Sequence, residues 1–521
     1  MKSTIPAAAV PSGVAMPEPA PVAAAAPDPP ADEGPPTESV NRQFLRGLAW
    51  TGGVKWGFQL ISWPVTLLTA KLLSPSDYGY VALVTVFTRM LQIVTDGGIG
   101  AALVAGPPLG ERRLRQMHTL VLGVALAAVL VGWALAYPAG RFYGSSTIGW
   151  VLAAYSATLV CDGLMIVPAA VLKRRFAFKD IALIEMGRNI VDQAVTLAMA
   201  YLGARFWSLV GGYAAGVAVG AALFTWRVRV GFARPVLAEL AEPLRTGRQV
   251  AVRAITDMIS ISTDRVVGGR IVSQTALGWY SFGGTLAWAP ADKITGIIMR
   301  VTPSLFGQAR DDLPRLRGYL ARITETLTLA TLPVFVGLAA VSVEVVAALL
   351  GSKWQGMAPV LAVLALNAGQ CETFAPLGQV AVSVGQSRAV AQNGLAGLVA
   401  FPPAFLVGAL LFQEVGLAGA GLVVTLVLNL RLLLVVRRAT GLSLRTYAVS
   451  LAPAVTSSAL MGAAVLAVRA PLAHASPSPW VRLTLEVALG GAVYAASLLL
   501  FHRSRVRDVW AFARRARAGM A

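Results

Sequence analysis

The sequence predicts an all-α polytopic membrane protein of about 14 transmembrane helices, built as two parallel six-helix lobes followed by a C-terminal helix pair. Three observations lead there. Hydrophobic residues fill 56% of the 521 positions and charged residues only 13%, with a mean hydropathy of +0.66, whereas a soluble domain carries about 25% charged residues. The apolar residues fall into runs of roughly 20, the length that crosses a bilayer core as helix. The chain also repeats itself: Gly269-Arg270-Ile271-Val272-Ser273, then Gly278-Trp279-Tyr280, lies over Ala70-Lys71-Leu72-Leu73-Ser74, then Gly79-Tyr80-Val81, at a constant offset of 199.

Residues 1–44 open the chain with a Pro/Ala-rich head that has no amphipathic period and no charged region leading into an apolar core. It reads as a disordered cytoplasmic segment rather than a signal peptide. The N-terminal lobe, 45–230, holds helices predicted near 50–73, 78–105, 117–140, 147–172, 181–203 and 206–230. Residues 231–246, with Pro235 and Pro243, form a cytoplasmic linker. The second lobe, 247–438, repeats the pattern with helices near 247–272, 276–302, 318–343, 356–384, 389–412 and 415–438. An additional pair, near 446–470 and 480–502, occupies 439–502, and 503–521 is a basic cytoplasmic tail.

The basic residues orient this bundle. Connections on the even-numbered side, together with the tail, carry 25 Lys and Arg, among them Arg112, Lys173, Arg174, Arg229, Arg310 and Arg438. The other side carries six: Lys71, Arg141, Arg205, Arg270, Lys353 and Arg469. Positive charge accumulates on cytoplasmic loops, so both termini are expected in the cytoplasm, and the net charge of +19 is topogenic rather than a sign of nucleic acid. Cys161 and Cys371 lie inside apolar runs, and His118, His474 and His502 are scattered, so neither a disulfide framework nor a metal site is expected. No P-loop or HExxH occurs, which disfavours an ATP-driven pump or a metalloenzyme. The connections on the outer face are short, so chemistry belongs between helices.

The stretch LLSPSDYGYVALVTVF…DGGIGAALV, within residues 72–104, resembles the polysaccharide transporter (Wzx-type) branch of the flippase superfamily that also contains the lipid II flippases and the MATE exporters. With the topology and the repeat, the resemblance covers roughly residues 45–440. It implies a bacterial inner-membrane flippase, not an enzyme, for polyprenyl-diphosphate-linked oligosaccharides. It implies no cofactor, H+ or Na+ as the coupling ion, and a polysaccharide polymerase and co-polymerase as candidate partners. A MATE-like cation-coupled drug antiporter is the alternative with the same architecture. Such exporters usually carry an acid in the first helix, whereas residues 50–73 contain Lys55 and Lys71 but no Asp or Glu. That departure favours an anionic cargo.

Ionisable groups at membrane depth cost at least ~2.5–3.5 kcal/mol each at the bilayer centre and normally face a partner or a wet cavity. Helix seven, VAVRAITDMISISTDRVVGGRIV, carries Arg253 and Asp257 at i, i+4 and Asp264 seven further on, one face of a helix, with Arg265 adjacent. This is either a substrate or ion site at the bundle interface or a set of structural ion pairs. Lys55 and Arg89 have no acid within a turn, and with Arg253 and Arg265 they are the expected cationic cavity for a diphosphate. Asp257, Asp264 and the isolated Glu372 are the expected ion-coupling acids. Glu185, Arg188 and Asp192 at i, i+3 and i+7 read instead as a buried structural triad.

Overall fold

The computed structural model describes residues 59, 62–107, 109–475 and 478–503; within these, the side chains at 257, 260, 261, 292, 297, 298, 300 and 301 are not described. The head, Lys55 and the tail beyond residue 503 lie outside the described residues. Those described form helices and turns, with no strand. A first helix, α1, spans 62–72. It is followed by α2 (Pro75–Asp96), α3 (Ile99–Ala105), α4 (Glu111–Phe142), α5 (Ser146–Ala157), α6 (Leu159–Arg174), α7 (Phe178–Tyr201) and α8 (Trp207–Arg227). The second half comprises α9 (Ala241–Ile271), α10 (Gln274–Trp288), α11 (Ala291–Gln308), α12 (Leu313–Ala340), α13 (Ser342–Leu349), α14 (Met357–Ser383), α15 (Ser387–Thr440), α16 (Leu444–Ala475) and α17 (Pro479–Phe501).

Nine described spans are long and apolar enough to cross a membrane. One of them, Ser387–Thr440, is a hairpin: Phe412 and Gln413 leave helical geometry, and beyond them the chain runs back antiparallel, with Asn393 donating to the Leu428 carbonyl. Charged α7 and α9 fall outside the nine, so apolarity alone does not establish 14 crossings. Several expected helices are broken. Gly97 and Gly98, at φ 53° and 69°, separate α2 from α3, a left-handed conformation that glycine adopts without a Cβ clash. Pro290, lacking an N–H, separates α10 from α11. α9 starts at Ala241, inside the stretch expected to be linker, because Ala241–Arg248 continues its helical run.

The repeat in the sequence becomes a contact in space. Ser74 and Ser273 both cap helices: each side-chain oxygen accepts from the backbone N–H three residues on, in Asp77 and Ala276. The capped helices α2 and α10 then cross at Gly79 and Gly278. A Cβ on Gly79 would collide with the Gln274 carbonyl, and one on Gly278 with the Pro75 carbonyl. Since 274 and 278 are 75 and 79 plus the same offset, the contact is reciprocal, as across a two-fold axis. Beside it Tyr78, Phe282 and Trp354 pack with ring centroids 5.0–5.4 Å apart, and buried Trp354 donates its indole N–H to the Ala70 carbonyl at 2.9 Å. This end of the molecule, carrying the Ser74 turn, is closed. At the opposite, linker end the halves meet again, where Gly98 and Gly247 allow backbone-to-backbone contact between the start of α3 and α9. The last pair, α16 and α17, packs on α12 and α13, away from the junction of the halves.

Candidate functional site

Between the two closures lies a cavity of about 960 Å³. Four helix stripes build most of its wall. α2 contributes Thr85, Thr88, Arg89, Gln92 and Asp96; α6 contributes Asp162, Ile166, Ala169 and Lys173; α7 contributes Glu185 and Arg188; α9 contributes Ala251, Ala254, Met258, Ser262 and Arg265. Apart from the adjacent Thr88 and Arg89, each set advances by three or four residues, the spacing that keeps side chains on one face of a helix. Tyr155, Tyr213 with Phe224, and Ser281 add to the wall from α5, α8 and α10, and Gly100 from α3.

The polar groups on the wall are organised around Gln92. Its side-chain amide donates to the Asp162 carboxylate at 2.9 Å and to the Tyr213 hydroxyl at 2.7 Å, joining α2, α6 and α8. Arg188 sits 3.7 Å from Glu185, one turn away, and 6.0 Å from the Tyr213 ring centre, so its charge is partly neutralised. Arg89 and Arg265 are placed differently. Among the described residues neither guanidinium makes a salt bridge or hydrogen bond, and the Arg265 Nε is buried without a partner. One comes from each half of the chain. Asp162 and Asp264 lie near enough to act on them electrostatically, yet among the described residues the guanidinium donors stay free of protein hydrogen bonds. Fixed cations of this kind in a partly enclosed space are suited to an anion, and the guanidinium fork grips two phosphate oxygens where an ammonium acts as a point charge.

The predicted site residues separate into groups. Arg89 and Arg265 both line the cavity, while Lys55 lies outside the described residues. Arg253 is exposed and absent from the cavity wall. The stripe Ala251, Ala254, Met258, Ser262, Arg265 explains this: Arg253 lies one residue off it, about 100° round the helix. Of Asp257 only the backbone position in α9 is described. Asp264 points to the neighbouring α10, accepting from the Tyr280 hydroxyl at 2.8 Å. Glu372 is buried in α14, also away from the wall. Gln92, Asp162, Lys173 and Tyr213 also line the cavity, which the sequence alone does not reveal, and Arg188, expected in a buried structural triad, borders it. The i, i+3/i+4 run Asp162–Ile166–Ala169–Lys173 was the available signal for two of them.

Among similar proteins, the succinoglycan biosynthesis transport protein ExoT of Rhizobium meliloti is 26% identical over 69% of this chain and 75% of its own. The lipopolysaccharide biosynthesis protein WzxC of Escherichia coli is 22% identical over 79% and 85%. Teichuronic acid biosynthesis protein TuaB of Bacillus subtilis is 22% identical over 67% and 73%. In fold, the chain is similar to the lipid II flippase MurJ in an inward closed conformation, with a TM-score of 0.71 over 88% of this chain and 99% of that one at 12% identity. A multidrug MATE transporter in an inward-facing conformation gives 0.52 over 73% and 96% at 14% identity. The chain therefore has the all-α fold these transporters share. The family model described as polysaccharide biosynthesis protein matches residues 68–359, more than half of the sequence, and the chain belongs to that family.

Proposed function

We propose that this chain is a flippase that moves polyprenyl-diphosphate-linked oligosaccharide across the bacterial inner membrane, by alternating access and with an H+ or Na+ gradient as the driving force. The observation that carries the reading is the pair Arg89 and Arg265, one from each half, facing a shared cavity and making no salt bridge or hydrogen bond among the described residues. A diphosphate leaving water loses several kcal/mol of solvation per charge unless fixed cations replace the water. The two halves touch at both ends, so parting one contact while keeping the other would expose the cavity to one side at a time. Asp257, Asp264 and Glu372 are the candidate coupling acids, and a polymerase and co-polymerase are the candidate partners that use the delivered unit.

Deleting the gene should abolish surface polysaccharide and accumulate the lipid-linked unit on the cytoplasmic face. Unchanged polysaccharide with a new sensitivity to cationic drugs would instead establish the antiporter reading. The orientation is tested separately. A reporter fused after Arg174 or Arg438 should report cytoplasm, and one fused after Arg141 or Lys353 the outside. A reversed result for either pair would overturn the placement of both termini in the cytoplasm.

A further inference from the structure

Away from the cavity, α17 carries a carboxylate that the packing does not explain. Glu486 is 0% exposed, and neither of its oxygens meets a hydrogen-bond donor. Its neighbour across the α13–α17 junction is Glu344, 3% exposed, near enough for the two charges to repel. Glu344 has one oxygen 3.4 Å from Arg469 Nε of α16, and its other oxygen is also without a partner. The remaining charged group nearby is Arg482, one turn before Glu486 on α17, whose Nε is buried and unpaired. Among the described residues α12 and α14 present no charged group to Glu486. Val341, Val465 and Leu483 pack together close by.

Two neighbouring buried carboxylates, three of their four oxygens lacking donors, are unfavourable through like-charge repulsion and through desolvation without compensation. One proton removes both costs, because it converts one carboxylate into the donor the other lacks. A metal cation would have to sit beside the Arg469 guanidinium, so the site suits a proton.

The position of the pair gives that proton a consequence. α13 continues through Gly351 into the short turn Ser352–Trp354. Trp354 is the buried indole that bonds the Ala70 carbonyl and packs on Tyr78 and Phe282 beside the Gly79–Gly278 crossing. We infer that Glu344 and Glu486 form a proton-binding site whose shared proton holds α13, and through it Trp354, against the closed Ser74 end. Loss of the proton leaves two adjacent negative charges, which drive α13 from α17 and loosen the Trp354 plug. Closure is therefore favoured at low pH and weakened as pH rises through the titration of the pair. The inference does not depend on the cargo.

The test uses the full chain in membranes, with Cys161 and Cys371 replaced by alanine and Ala276→Cys as a buried reporter at the start of α10. Maleimide labelling is normalised to an exposed control cysteine, Ser146→Cys, which corrects for thiol ionisation. Between about pH 6 and about pH 9 the normalised labelling should rise on the order of fivefold as the closed population falls. Adding Glu486→Gln or Glu344→Gln supplies a permanent amide donor, and labelling should stay at its low-pH level throughout. A flat profile in the parent, or the same rise in both glutamine variants, would overturn the site. If the variants fail to reach the membrane, the parent profile decides alone.

Discussion

Replacing Arg89 and Arg265 together by alanine should remove surface polysaccharide and accumulate its lipid-linked precursor, at unchanged protein abundance. Each guanidinium offers a charge-assisted contact worth about 1.5–3 kcal/mol, so losing both should slow transport by roughly a hundredfold or more. Abundance should hold because neither side chain makes a salt bridge or hydrogen bond among the described residues. Arg265→Lys keeps the charge but not the fork and should retain part of the activity. Arg253→Ala, on the exposed side of α9, is the comparison and should cost much less. Precursor and polysaccharide levels measured in the same cells decide the matter. Wild-type levels in the double variant would sink the cationic-cavity reading.

Gly278→Val should be the most damaging substitution in the helix crossing. Its side chain would enter the Pro75 carbonyl, and backbone on the far side leaves nothing flexible to yield. Overpacking of this kind costs about 1–3 kcal/mol in ordinary cores, and here the strain falls on the contact that closes the Ser74 end. We expect a lower melting temperature in detergent and a transport loss of at least about tenfold, with Gly79→Val behaving alike because the contact is reciprocal. Gly284→Ala, on the same helix with open space around its Cα, should change neither. An unaltered melting curve for Gly278→Val would show that the two helices do not meet as described.

Much of this architecture is legible in the sequence because it rests on short-range rules. The serine caps, the apolar runs and the offset of 199 between the Gly79 and Gly278 segments are all visible in one dimension. The breaks at Gly97–Gly98 and Pro290 lie within long apolar runs, where hydropathy is blind to backbone geometry. The cavity was half legible. Arg89 stands out as a cation with no acid within a turn, but Arg253 is exposed and off the wall and Asp264 bonds to Tyr280 of α10. Sequence spacing tells which residues share a face, not which way the face points. The Gln92–Asp162–Tyr213 network joins residues 70 and 121 positions apart, a relation that only folding creates. Arg188 looked satisfied by Glu185 because local pairing hides what lies beyond the helix.

The Gly79–Gly278 crossing also has a mechanical meaning. Two bare backbones touching near one axis can serve as a pivot, since at the point of contact itself no side chains interlock; the Tyr78, Phe282 and Trp354 rings lie to one side of it. From Gly79 to Asp96 helix α2 extends about 25 Å, so it acts as a lever arm. A tilt of about 15° at the pivot would move the far end by roughly 6 Å, enough to part the smooth Gly98–Gly247 contact. Small angular changes at one end of this molecule would thus be magnified into larger displacements at the other.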